Sequence, residues 1–79
     1  MKVTKPMIEC YVNQYNWLME CEKERPMSAE DFVVMGNRLC GIYDTMTAVT
    51  KKTNDAIPDE IESMQSTYEA MLTQKLLNH

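Results

Sequence analysis

Glycine and proline are scarce in this chain, with two and three copies respectively in 79 residues. An all-β protein needs a turn every few residues, so their scarcity excludes that class and leaves helix as the default. Gly36 and Gly41 stand alone, so no glycine-rich loop is available to cradle a phosphate. Histidine occurs once, as the terminal His79. That placement rules out a catalytic triad or a histidine-rich metal site. Cysteine occurs three times, at Cys10, Cys21 and Cys40, with no C-x-x-C spacing. On one straight helix Cys10 and Cys21 would stand about 16 Å apart, so they cannot share an ion, and neither a structural zinc nor any other cofactor is expected. An odd number of thiols inside apolar patterns predicts free, buried cysteines.

Positive charge is also short. Eight basic residues face 12 acidic ones, for a net charge of −4. Phosphate neutralisation needs clustered Lys and Arg, so a nucleic-acid partner is not expected. Lys51 and Lys52, the one adjacent basic pair, suit the negative end of a helix dipole. No window approaches the roughly 20 apolar residues of a membrane span, and "MKVTKPM" carries no apolar run of signal-peptide length. No membrane partner is expected, and the cytoplasm is the expected compartment. The carboxylate pairs Glu20 with Glu24 and Asp59 with Glu62 read as solubility and capping features. The chain is therefore expected not to be an enzyme.

What remains is helical patterning. Phe32, Met35, Leu39, Ile42, Met46 and Val49 recur at spacings of three and four, the seam of a bundle helix. Ser28 with Asp31 reads as a capping box, and Met27 with Phe32 as a hydrophobic staple. A third segment starts near Pro58, with Asp59, Glu60 and Glu62 at the positive end of its dipole and Ile61, Met64, Tyr68, Met71 and Leu72 or Leu76 as its seam. The first segment uses Ile8, Tyr11, Tyr15 and Leu18, and "EKERPM" ends it. Helices over about 5–24, 28–53 and 58–77, joined by short links, predict one all-α domain, an antiparallel three-helix bundle. The alternative is a long helical hairpin that completes its core by dimerising.

Two faces exceed what the seams require. On the first helix, Cys10, Gln14, Trp17 and Cys21 share a stripe beside the seam. Either it widens the core or, with Tyr11, it forms a protein-binding hot spot. On the second helix, Gly36, Cys40, Tyr43 and Thr47 form a small-residue strip, and two interior glycines cost roughly 1 kcal/mol each relative to alanine. The strip fits either a central helix flanked on two sides or a self-association face. A chain of this size buries only about 60% of its unfolded surface, so a homo-oligomer, with a dimer favoured, is also expected. Eight methionines, mostly at seam positions, suit core packing and also allow a surface to adapt to different partners.

The leading functional expectation is a small helical adaptor or inhibitor that binds another protein through Tyr11, Gln14, Trp17 and Cys21 or through Gly36, Cys40 and Tyr43. A phage or mobile-element accessory protein directed at host machinery is the setting expected from size alone. One alternative is a small-ligand or nucleotide binder with a pocket between subunits. It would use Tyr11, Tyr15 and Trp17 to stack, Asn13, Gln14 and Asn16 to read polar edges, and Arg38 or Lys51 for phosphate. Another is a structural subunit of an assembly.

Overall fold

The structure, a computed structural model, describes residues 3–78, so His79 lies outside the described residues. Three helices form: α1 over Lys5–Glu24, α2 over Ala29–Thr53 and α3 over Asp59–Leu77. Their ends follow local chemistry. The Thr4 hydroxyl accepts the Met7 N–H at 3.4 Å at the start of α1, and Pro6 occupies the first turn, where no donor is needed. Arg25 precedes Pro26 and is extended, with φ −150° and ψ 109°, which ends α1. Ser28 caps α2 by accepting the Asp31 N–H at 3.1 Å. Asn54 closes α2 in the left-handed region, with φ 59° and ψ 27°, a conformation that asparagine tolerates better than most residues. Pro58 is the N-cap of α3 but provides no side-chain cap, and Asp59, Glu60 and Glu62 supply the favourable charge there instead.

All three helix pairs make contact within one chain, which gives the three-helix bundle and not the open hairpin. The molecule measures 40 × 21 × 19 Å. Its long axis matches α2, whose 25 residues span about 38 Å at 1.5 Å per residue.

The core is narrower than the seams suggest. Tyr11 and Leu18 on α1, Phe32, Leu39 and Met46 on α2, and Ile61 and Tyr68 on α3 are the buried apolar residues. Within each helix these apolar residues repeat every seven positions. The other seam positions, including Ile8, Tyr15, Met35, Ile42, Val49, Met64 and Met71, are half-buried. Leu76 is exposed, which leaves Leu72 to continue the α3 seam. On α2 the second buried rank is Gly36 and Thr50. The missing side chain at Gly36 makes room for Tyr68 of α3. On α3 the polar Gln65 is buried as well. Among the described residues no helix is long and apolar enough to cross a membrane.

Candidate functional site

Gly36 is filled from within the chain. A Cβ built there would lie 2.5 Å from Tyr68 Cε1 and 2.6 Å from Cζ, nearer than such atoms approach, with Oη nearer still. Tyr68 stacks on Phe32, their ring centroids 4.8 Å apart and their planes 20° apart, and its hydroxyl donates to the Phe32 carbonyl at 3.2 Å. The helix penalty at Gly36 is thus offset by a buried aromatic pair. Gly36, Cys40 and Tyr43 of the small-residue strip meet α3, while Thr47 is exposed. Gly41 differs: nothing lies within 4 Å of its missing Cβ, and no feature of the structure requires glycine there.

A polar chain crosses the same core. The Tyr11 hydroxyl donates to Gln65 Oε1 at 2.7 Å, and Gln65 Nε2 donates to Glu69 at 3.4 Å and to Cys40 Sγ at 3.8 Å. The Tyr43 hydroxyl donates to the Glu62 carboxylate. Burial pushes the Tyr11 hydroxyl far above the ordinary tyrosine range. The hydrogen bond to Glu62, followed by burial, raises Tyr43 to about 12, and burial raises Tyr68 to about 12. These hydroxyls remain protonated donors near neutral pH and hold helices together.

Two of the expected contact residues lie inside the bundle. Tyr11 and Gly36 are buried. Cys10 is exposed, against the expectation of three buried thiols, while Cys21 and Cys40 are half-buried. The cause is angular: Cys10 lies one residue from Tyr11, about 100° round the helix from the core line. Cys40 and Tyr43 are half-buried and engaged with α3. On α1, Gln14 and Cys21 are half-buried, and Trp17 is 47% exposed.

Of the three rings expected to stack on a base, Tyr11 is in the core, Tyr15 is half-buried and Trp17 is exposed, as are Asn13 and Asn16.

Sequence reasoning missed the buried Gln65 and the half-buried Lys75. Gln65 lies four residues after Ile61, and Lys75 seven after Tyr68, both at seam spacing. Lys75 Nζ donates to Glu22 Oε2 at 2.8 Å and to the Met27 carbonyl at 2.7 Å, and it lies 5.0 Å from the Phe32 ring centroid. Glu22 Oε1 in turn accepts the Met27 N–H at 2.9 Å. This clasp ties the α1–α2 turn to the end of α3. Burial works against the Glu22 charge, but the hydrogen bonds from Lys75 and Met27 and the lysine's charge outweigh it, so the carboxyl is held below its ordinary range. An open recess of about 470 Å³ beside the clasp is lined by Glu22, Met27, Met71, Gln74 and Lys75, with its opposite charges already paired. A smaller recess of about 270 Å³ is lined by Ala29, Val33 and the exposed Leu76. Among the described residues no group of three His, Cys, Asp or Glu side chains is placed to hold a metal ion.

Compared with known proteins, the chain matches no family model, no curated protein and no solved structure.

Proposed function

We propose that this protein is a non-enzymatic protein-binding module, acting as an adaptor or inhibitor, and that it docks through the outer face of α1 around Trp17. The observation that carries the reading is the 47% exposure of Trp17, when Tyr11, Phe32 and Tyr68 are buried and the two remaining tyrosines are half-buried. A tryptophan left half in water adds little to folding, yet it offers a large, rigid apolar surface to a partner. Cys10, Gln14 and Cys21 share its stripe of α1 at helical spacing. The Gly36 face no longer supports the reading, since α3 occupies it.

The test compares proteins captured by the immobilised wild type, by Trp17→Ala and by Val34→Ala, the last altering an exposed residue on α2. A partner retained by wild type and Val34→Ala but lost with Trp17→Ala is the expected result. An unchanged set of captured proteins with Trp17→Ala would overturn the proposal. Light scattering over a concentration series covers self-association: a dimer abolished by Trp17→Ala would make the partner a second copy.

A further inference from the structure

The charge pattern around Trp17 narrows the chemistry of what docks there. From Pro6 to Glu22 the chain carries no Lys or Arg, while Glu9, Glu20 and Glu22 fall within that stretch. Glu20 and Glu24 lie three and seven residues beyond Trp17, on the same side of α1, and both are exposed. Among the described residues the one ion pair is Glu22 with Lys75, and the one cation over an aromatic ring is Lys75 over Phe32. Glu20 and Glu24 are thus without a pairing cation among those residues, and none lies over the Trp17 indole.

Lys23 lies three residues from Glu20 and Arg25 follows Glu24, but among the described residues no basic side chain, Lys5 and Arg38 included, pairs with either carboxylate or lies over the indole. Lys23 is six residues from Trp17, about 120° round the helix, and pairs with neither carboxylate. Lys51 and Lys52 occupy the last turn of α2, where they complement its dipole.

We propose that the Trp17 face takes a basic segment of another protein, with a lysine or arginine over the indole and further cations meeting Glu20 and Glu24. This rests on the reading of that face as a docking surface and names the class of partner. Tryptophan is the strongest aromatic acceptor for a cation, and carboxylates one and two turns away add steering toward a positive segment while rejecting an acidic one.

Trp17 is the only tryptophan, so its fluorescence reports on this face alone. The full chain is titrated with two tryptophan-free amphipathic peptides of the same leucine pattern, one carrying lysine and the other glutamate at every polar position. The lysine peptide is expected to change Trp17 emission saturably, to weaken on the order of tenfold between about 50 and 500 mM salt, and to weaken about fivefold with Glu20→Gln/Glu24→Gln. The glutamate peptide is expected to leave the spectrum unchanged. Equal binding of both peptides, or binding indifferent to the double substitution, would overturn the charge inference while leaving the face a docking surface. No response to the lysine peptide would also overturn it. Failure of the docking surface itself is read separately, from the Trp17→Ala capture. An emission change that grows with the protein's own concentration, without peptide, would name a second copy as the occupant and overturn the proposal.

Discussion

The α2–α3 interface and the outer face of α1 are built from similar material, an aromatic ring beside small or amide side chains, yet only the first is closed. At the interface Tyr68 enters the space left by Gly36 and lies on Phe32, while Gln65 satisfies the Tyr11 hydroxyl. On α1, Trp17 sits beside Cys10, Gln14 and Cys21 and stays 47% exposed. The difference lies in direction. Tyr68 follows Ile61 by seven residues and shares its heading, whereas Trp17 points about 100° away from Leu18 and about 120° away from Tyr11. An apolar ring seals an interface only where a neighbouring helix exists to receive it.

If that contrast is sound, the largest effect belongs to the closed side. Tyr68→Ala is expected to cost about 3 to 5 kcal/mol in urea unfolding, a large part of the stability of a domain this small. Gly36→Ala alone is expected to cost about 1 to 3 kcal/mol from overpacking, after the gain of roughly 1 kcal/mol in helix propensity. In the Tyr68→Ala background the same substitution should become neutral or stabilising. An unchanged cost there would separate Gly36 from Tyr68 and break the comparison.

The polar chain sharpens it next. Gln65→Ala leaves the buried Tyr11 hydroxyl without its partner and should cost about 1 to 3 kcal/mol, of which Tyr11→Phe should restore part. The raised tyrosines carry a pH signature as well. A group whose folded pKa lies above its unfolded value stabilises fully below the unfolded value. For Tyr43 and Tyr68 that contribution should fade as pH rises from 10 through about 12. Tyrosinate absorbance, followed together with helicity, checks this window.

The clasp comes third. Glu22 is depressed, so its contribution is present above its ordinary value of 4.5 and is lost as pH falls through the folded value. Lys75→Met should cost about 1 kcal/mol and flatten the acid limb of stability against pH, measured by urea midpoints. The smallest effect belongs to the open side. Trp17→Ala should change stability by less than about 1 kcal/mol. A loss of about 3 kcal/mol or more would make Trp17 a core residue and erase the contrast.

Much of the fold was legible in local chemistry. The capping residues Ser28 and Asn54, the stop at Arg25–Pro26 and the spacing through Phe32, Leu39 and Met46 placed the helices within a residue or so of where they lie. The candidate faces were legible only as surpluses. Gly36 and Trp17 both stood out, but spacing along one helix does not say whether another helix arrives there. Gln65 and Lys75 went unnoticed because a polar side chain at a seam position looks like a break in the pattern until its buried partner is known.

The sequence by itself determined the three helices, their ends and the heptad line of the core, because caps, prolines and apolar periodicity act over a few residues. Only the tertiary structure decided that Gly36 is filled by Tyr68, that Gln65 is buried and Lys75 is clasped by Glu22, and that Trp17 faces water. Those outcomes depend on residues 32 to 54 positions apart meeting across helices, and close packing settles which rings are enclosed only once all three helices are in place.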